Sequence, residues 1–289
     1  MNINNFNFVF WGTPDVASNT LEILKQAGFL PSLIVTSPDA KKGRGMHMEA
    51  SPVAFFAEKN NIPCLKPVKL DKEFTLKLST FNFQLFVVVA YGKIIPEDIL
   101  GMPKSGSINI HYSLLPKYRG ASPVETAILN GETETGVTIQ KMAYQMDTGA
   151  ILAQEKTEIG PDEKAPELKK RLIQIGGKLL VKILPDFVEG KIKEIPQDES
   201  KATFCKKIKK EDGLIDPATE RPSELYNKFR AYATWPRIFF FHPPSAHSGG
   251  SGDKRVIITD AVLENNQFII KKVIPEGGKE TDYKNYYKN

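Results

Sequence analysis

Cysteine and histidine are scarce in this chain of 289 residues, which contains two cysteines and four histidines. Cys64 and Cys205 form no C-x-x-C motif and have no histidine at metal-ligand spacing, so neither a disulfide framework nor a zinc site is expected. No apolar run approaches the roughly 20 residues of a membrane helix. The first residues lack the basic region and cleavage site of a signal peptide. We therefore expect a cytoplasmic protein that has no metal and does not bind membranes.

Several common catalytic signatures are also missing. Gly12 follows the first predicted strand without a G-x-G-x-x-G pattern or a later acidic partner, which argues against a dinucleotide site. The triplet DTG, Asp147 to Gly149, matches that of aspartic proteases, but it occurs once and those enzymes pair two carboxylates. Neither cysteine has the context of a nucleophile, and G-x-S-x-G is absent. Covalent catalysis is therefore disfavoured.

The whole chain has a net charge of +5, and its positive charge is concentrated in the last third. Residues 206–289 contain 15 Lys and Arg against 11 Asp and Glu, and the segment opens with KKIKK. One interpretation is a solvated lysine-rich face. The other is a module that meets a polyanion such as RNA.

Predicted strands and helices alternate through residues 1–190, which indicates an α/β domain with a mostly parallel sheet. The continuous apolar run over residues 84–92 is typical of a strand buried on both faces of such a sheet. Residues 38–50 are predicted to form a long polar loop. Residues 191–205 are interpreted as a linker, and residues 206–289 predict a small, mostly β domain with one short helix.

The stretch SINIHYSLLPKYRG, residues 107–120, contains the first candidate catalytic residues. Alternate residues of a strand share a face, so Asn109 and His111 project together while Ile108 and Ile110 face a core. An amide can stabilise an oxyanion, and an imidazole can transfer a proton near neutral pH. Asp147 could orient that imidazole. The spacing leaves open whether Asp147 reaches His111.

This stretch, followed by ETGVTI and QMDTGAIL, resembles the signature of the folate-dependent formyltransferase family. FWGTPDVA, the GRG loop with SPV after it, KKEDGLID and RAYATWP resemble the members of that family that act on methionyl-tRNA, from about residue 7 to residue 285. The resemblance implies a Rossmann-like formyltransferase domain followed by an OB-like β-barrel domain. It implies transfer of the formyl group of 10-formyltetrahydrofolate to the α-amino group of methionyl-initiator tRNA, for translation initiation. We expect a monomer.

By this resemblance, Asn109, His111 and Asp147 fall on the catalytic positions of the family. The implied folate-binding residues are Ala90, Tyr91, Gly92, Ser113, Leu114, Leu115, Pro116 and Gly120. The implied tRNA-binding residues are Lys41, Lys42, Arg44, Lys206, Lys207, Lys209 and Lys210. The chain departs from the family after the GRG loop, where Met46 to Glu49 replace further basic residues, and at Thr234 and Arg237 within RAYATWPR.

Other functions stay open beside this one. Formyltransferases that act on glycinamide ribonucleotide lack a C-terminal module such as residues 206–289. Those that act on a sugar-nucleotide amine do not explain the GRG loop and the basic module together. An RNA-binding protein on an inactive formyltransferase scaffold is the alternative from another class, and the intact Asn109, His111 and Asp147 argue against it.

Overall fold

The computed structural model describes residues 6–42, 45–242 and 254–286, except for the side chains of Lys42 and His242. The strands are β1 (Phe8–Gly12), β2 (Leu33–Val35), β3 (Ala40–Lys42), β4 (His47–Glu49), β5 (Cys64–Leu65), β6 (Leu85–Val89), β7 (Ser107–His111), β8 (Arg119–Gly120), β9 (Glu134–Lys141), β10 (Ile151–Glu158), β11 (Phe204–Cys205), β12 (Phe239–His242), β13 (Lys254–Glu264), β14 (Gln267–Pro275) and β15 (Thr281–Asp282). The helices are α1 (Asp15–Gln26), α2 (Pro52–Lys59), α3 (Lys72–Ser79), α4 (Glu97–Leu100), α5 (Pro123–Leu129), α6 (Ala165–Val188), α7 (Pro222–Ala231) and α8 (Tyr283–Tyr286). Within these ranges, no helix has the length and apolar character needed to cross a membrane.

A seven-stranded sheet in the order β10-β9-β7-β6-β1-β2-β5 forms the centre of the α/β fold. The pairs from β5 to β7 are parallel, and β9 runs antiparallel to β7. Strands β1 and β6 are buried along their whole length, as their continuous apolar sequences predict. The chain continues from β1 to one side through β2 and later to the other side through β6. The carboxyl ends of β1 and β6 therefore flank the switch point at which open α/β sheets bind ligands.

Aromatic side chains fill the core on one face of this sheet. Trp11 of β1 is fully buried and makes edge-on contacts with Phe74, at 6.0 Å between ring centroids, and with Tyr91, at 5.2 Å. Phe86 of β6 packs against the same indole at 5.4 Å. Aromatic pairs in these arrangements add to the stabilisation that burial alone supplies. The core therefore fixes the strands whose carboxyl ends flank the switch point.

The chain forms two compact units that interleave along the sequence. The first unit comprises Met1–Arg119, Gly136–Lys156 and Arg171–Phe204, and the second comprises Gly120–Thr135, Thr157–Lys170 and Cys205–Asn289. The second unit contains a four-stranded sheet in the order β12-β13-β14-β15, whose neighbouring strands are antiparallel. The predicted fold class, a mostly parallel sheet followed by a smaller β unit, is confirmed. The predicted boundaries at residues 190 and 206 stay a prediction.

The prediction of a long loop over residues 38–50 is wrong. Strands β3 and β4 pair antiparallel within this segment, with Ala40 opposite Glu49 and Lys41 opposite Met48. Ala40, Lys41 and the residues from His47 to Glu49 are exposed, so these short strands lack the buried apolar side chains from which a strand is predicted. Gly43 and Arg44, between the two strands, lie outside the described residues.

Candidate active site

Strand β7 directs Asn109 and His111 to one face of the sheet. Ile108 and Ile110 alternate with them and are 0% and 3% exposed, which confirms the predicted pattern. His111 is buried as well, whereas Asn109 is half-buried. The Asn109 side chain makes no hydrogen bond to any residue in the described ranges. Its amide N–H groups are therefore available to a ligand.

Both ring nitrogens of His111 face oxygen atoms. Nε2 lies 2.9 Å from the carbonyl oxygen of Tyr118, and Nδ1 lies 3.5 Å from Oδ2 of Asp147. A carbonyl oxygen only accepts hydrogen bonds, so the Nε2 proton is donated to Tyr118. The contact between Nδ1 and the Asp147 carboxylate is attractive when Nδ1 carries a proton too. The Tyr118 carbonyl thus orients the ring and leaves Nδ1 as the nitrogen beside the carboxylate.

Asp147 lies in the turn between β9 and β10, where two glutamines from other parts of the chain hold it. Nε2 of Gln140 donates to Oδ1 of Asp147 at 2.8 Å. Nε2 of Gln197 donates to the backbone carbonyl oxygens of Asp147 and Gly149, at 2.8 and 2.7 Å. The backbone of Asp147 has φ +58°, a left-handed conformation that costs energy for a residue other than glycine. These hydrogen bonds hold that conformation and leave Oδ2 towards His111.

The structure thus brings His111 and Asp147 together, and Asn109 lies two residues before His111 on β7. Three groups around this pair were missed in the sequence: Gln140, the Tyr118 carbonyl and Gln197. Gln140 had a signal, because it is a polar residue that directly follows the stretch GVTI within β9, where it lies opposite Asn109. The other two had none, since a backbone carbonyl leaves no mark in a sequence and Gln197 lies in the segment interpreted as a linker.

Three of the proposed folate-binding residues follow β6 at the switch point. Ala90 and Gly92 are exposed and have positive φ angles of +48° and +83°, so the chain turns sharply here. The Tyr91 side chain points into the aromatic core, and burial raises the pKa of its hydroxyl to about 12. Its carbonyl oxygen accepts a hydrogen bond of 3.1 Å from the Thr13 hydroxyl. Tyr91 can therefore serve a ligand only through its backbone.

The remaining folate candidates form a corner after β7 that is braced by internal hydrogen bonds. The buried Ser113 hydroxyl donates to the carbonyl oxygen of Lys117 at 2.6 Å. The Leu115 backbone N–H donates to the Thr138 hydroxyl at 3.0 Å, and the peptide bond to Pro116 is cis. Leu114 and Gly120 are half-buried, as is Pro116, and Gly120 has φ +126°. Such a corner offers a ligand a shaped surface with little freedom left to lose.

The proposed RNA-contacting lysines are exposed where the structure describes them. The four candidate lysines of the second unit, Lys206, Lys207, Lys209 and Lys210, are all exposed. Lys41 in β3 is exposed too, while the Lys42 side chain and Arg44 lie outside the described residues. The side chains of these four lysines are therefore accessible to a ligand.

The match to known proteins extends over most of the chain. A family model described as "Formyl transferase" matches residues 5–184. A methionyl-tRNA formyltransferase from a Synechococcus strain is 42% identical over 258 residues, which are 88% of this chain and 76% of that relative.

Two solved structures share the fold. A methionyl-tRNA formyltransferase from Clostridium thermocellum has a TM-score of 0.59 and 17% identity, and the match covers 96% of this chain and 99% of that one. An N-formyltransferase from Helicobacter canadensis, solved with folinic acid and dTDP-3-aminofucose, has a TM-score of 0.65 and 21% identity. The match covers 90% of this chain and 88% of that one. At these identities the structures support the fold alone. The family model over residues 5–184 and the relative at 42% identity show the family: this chain belongs to the formyl transferases.

Proposed function

We propose that the chain transfers the formyl group of 10-formyltetrahydrofolate to the α-amino group of methionyl-initiator tRNA, for translation initiation. The observation that carries the proposal is the pairing of His111 with Asp147 beside the unbonded amide of Asn109. The Synechococcus relative named methionyl-tRNA formyltransferase, which is 42% identical over 88% of this chain and 76% of its own length, supports the same activity.

Asn109 and His111 stabilise the oxygen of the formyl group in the proposed mechanism. As the neutral amine adds to the formyl carbon, negative charge develops on that oxygen. The free Nδ2 group of Asn109 and the protonated Nδ1 of His111 are donors placed in advance for this charge, in a buried setting where such interactions are strong.

Asp147 moves the proton. The attacking amine must lose a proton, and the folate nitrogen that leaves must gain one. The Asp147 carboxylate faces Nδ1 of His111 and, through a water molecule, accepts the proton from the amine and returns it to the leaving nitrogen. Gln140 binds Oδ1, and we assign this role to Oδ2, the oxygen that faces Nδ1 of His111. We propose that folate binds against Ala90 to Gly92 and the corner from Ser113 to Pro116.

The acceptor is tested by offering the purified protein three amines with 10-formyltetrahydrofolate: charged initiator tRNA, glycinamide ribonucleotide and a sugar-nucleotide amine. We expect turnover with the tRNA and, at equal concentration, less than about 1% of that rate with either small amine, because neither engages the basic module. The uncharged tRNA is the matched control. Faster transfer to a small amine would reassign the enzyme, and tRNA binding without any turnover would support the inactive scaffold.

The tRNA-binding role of KKIKK is tested by replacing Lys206, Lys207, Lys209 and Lys210 together with glutamine. We expect the KM for charged tRNA to rise about tenfold at moderate salt and the salt dependence to become shallower, since each lysine that neutralises a phosphate releases a counterion. The KM for folate should stay unchanged. Steady-state kinetics between low and moderate salt measure all three quantities.

The matched control replaces four exposed lysines of the first unit, Lys69, Lys72, Lys77 and Lys104, and so changes the net charge equally. If both quadruple variants raise the KM for tRNA alike, total charge and not a site at KKIKK attracts the RNA. If neither does, KKIKK is only a solvated face.

We also propose that the enzyme acts as a monomer in the cytoplasm, where it meets newly charged tRNA. A monomer is compatible with the site, because all the side chains assigned to catalysis come from one chain. Sedimentation of the purified protein at micromolar concentration should give the mass of a single chain, and a concentration-dependent dimer would contradict this proposal.

A further inference from the structure

Residues 197–203 connect to both catalytic side chains, although this segment lies far from them in sequence and was interpreted as a linker. At one end, Gln197 binds the turn that carries Asp147. At the other end, Thr203 binds the corner whose carbonyl oxygen orients His111. The segment therefore contacts the supports of both groups while touching neither ring nor carboxylate itself.

The Gln197 amide uses its full hydrogen-bonding capacity. Its Nε2 donates to the carbonyl oxygens of Asp147 and Gly149, at 2.8 and 2.7 Å, and its Oε1 accepts from Nε and Nη2 of Arg119, at 3.0 and 2.8 Å. A guanidinium has donors only, and the two carbonyls are acceptors only. The amide can therefore face in only one direction, and no partner remains for an alternative orientation.

Arg119 is held in turn from the solvent side. Its guanidinium is 2% exposed and forms a bidentate pair with Glu199, with distances of 2.8 Å (Nη1 to Oε2) and 2.7 Å (Nη2 to Oε1). The hydrogen bond with Glu199 is the main reason why the pKa of Arg119 is raised and that of Glu199 is lowered. Bidentate pairs of this kind fix geometry as well as charge. Glu199 and Arg119 thus set the position of the Gln197 amide.

Thr203 fixes the other support. The Thr203 hydroxyl accepts a hydrogen bond from the backbone N–H of Tyr118 at 2.9 Å. The Thr203 carbonyl oxygen accepts one from the backbone N–H of Arg119, also at 2.9 Å. Its own N–H donates to the carbonyl oxygen of Pro116 at 3.2 Å. Tyr118 has φ +61°, a strained conformation that turns its carbonyl oxygen to Nε2 of His111. Without Thr203, the backbone that orients the imidazole loses its brace.

We propose that residues 197–203 are a positioning element for the catalytic pair, in which Gln197, oriented by Arg119, fixes Asp147 and Thr203 fixes the Tyr118 carbonyl that orients His111. The inference rests on the proposed roles of His111 and Asp147. It assigns no contact with a substrate to Gln197 or Thr203, which act through other groups. Their loss should therefore lower kcat and leave both KM values in place.

The test compares Gln197→Met, Asp147→Asn and the double variant in the full-length protein, with charged initiator tRNA and 10-formyltetrahydrofolate. Methionine keeps the length of the side chain and removes its hydrogen bonds. We expect Gln197→Met to lower kcat about 30-fold, by analogy with the loss of about 10–100-fold when a group that orients a metal ligand is removed. The double variant should be no more than about twofold slower than Asp147→Asn, because both changes remove the same carboxylate function.

Two further variants keep the proposal testable. Glu199→Gln weakens the ion pair that holds Arg119, and because Glu199 is exposed the protein should still fold. We expect kcat to fall about fivefold in this variant. In a protein that already carries Asp147→Asn, the same change should cause no further loss. Thr203→Val should lower kcat and show no further loss when combined with His111→Ala. Lys201→Gln is the matched control, because it breaks an exposed ion pair with Asp198 in the same segment, and it should leave kcat unchanged.

The outcomes separate this inference from the proposed function. If Asp147→Asn is as active as the unaltered protein, the proposed role of Asp147 is wrong whatever Gln197 does. If Asp147→Asn is slow and Gln197→Met and Glu199→Gln are not, residues 197–203 are not a positioning element. A double variant in which the two losses multiply would show that Gln197 acts on general stability and not through Asp147, and this too would overturn the inference.

Discussion

Replacing His111 with alanine should lower kcat by about 10²–10⁴, the range for a positioned proton-transfer group, without a comparable change in folate affinity. Nδ1 of His111 is the donor beside Asp147, and its interaction with the formyl oxygen strengthens only as negative charge develops there. A group that acts only in the transition state affects turnover and not ground-state binding. Single-turnover rates and equilibrium binding of a non-reactive folate measure the two quantities separately.

Stability needs its own measurement in this experiment. His111→Ala removes the hydrogen bond between Nε2 and the Tyr118 carbonyl oxygen, and the loss of one such bond costs about 0.5–1.5 kcal/mol. Thermal unfolding of the variant shows whether the protein is folded at the assay temperature. A folded variant that turns over within tenfold of the unaltered protein would remove His111 from the mechanism.

Asn109→Ala keeps His111 and Asp147 and removes only one hydrogen-bond donor to the developing oxyanion. Its rate should therefore fall by about 10²–10³.

Much of the fold and the centre of the site could be predicted because burial leaves a periodic signal. The continuous apolar sequence of β6 and the alternation of β7 both follow from which faces are covered, and they placed Asn109 and His111 correctly on one face. Polar residues at buried positions carried the rest of the signal. Gln140 belongs to the same class, and its position inside β9 could have identified it.

The supports of the site could not be predicted, for two physical reasons. The Tyr118 carbonyl and the positive φ of Asp147 are backbone properties, and many side chains are compatible with either. Gln197 acts across 50 positions of sequence on the carbonyl of Asp147, and such a contact depends on the assembled fold. Long-range contacts such as that of Gln197 can be seen only in the folded structure.

The β3–β4 hairpin was not predicted for a different reason, because exposed strands need no apolar side chains.

A second large effect is expected from a single methyl group at Gly149. A Cβ atom there would lie 1.6 Å from the carbonyl oxygen of Lys141 and 2.8 Å from its carbonyl carbon. Carbon atoms pack at about 3.5–4.0 Å, so something must move. Lys141 is the last residue of β9, lies opposite Ile108 of β7, and donates its backbone N–H to the carbonyl oxygen of Ala150 at 2.9 Å. The sheet resists displacement, so the turn itself should move.

Gly101→Ala is the control for that experiment. The nearest atom to a Cβ on Gly101 is the Glu97 carbonyl oxygen at 3.5 Å, an ordinary contact, and the residue has φ −83°, which alanine adopts without strain. This variant should keep full activity and be unchanged or slightly more stable, because alanine restricts the unfolded chain more than glycine does. It shows what the substitution does where space is available.

Gly149→Ala should therefore lower the free energy of unfolding by about 3 kcal/mol, the upper part of the range for overpacking, and lower kcat to the level of Asp147→Asn. Both effects have one cause, since the turn that must move carries Asp147 and the two carbonyl oxygens bound by Gln197. Denaturant unfolding and single-turnover rates, at a temperature where the variant is folded, measure them separately. Loss of stability with full turnover would mean that the Asp147 carboxylate reaches its position from a displaced turn, and its fixed geometry would then not limit the reaction.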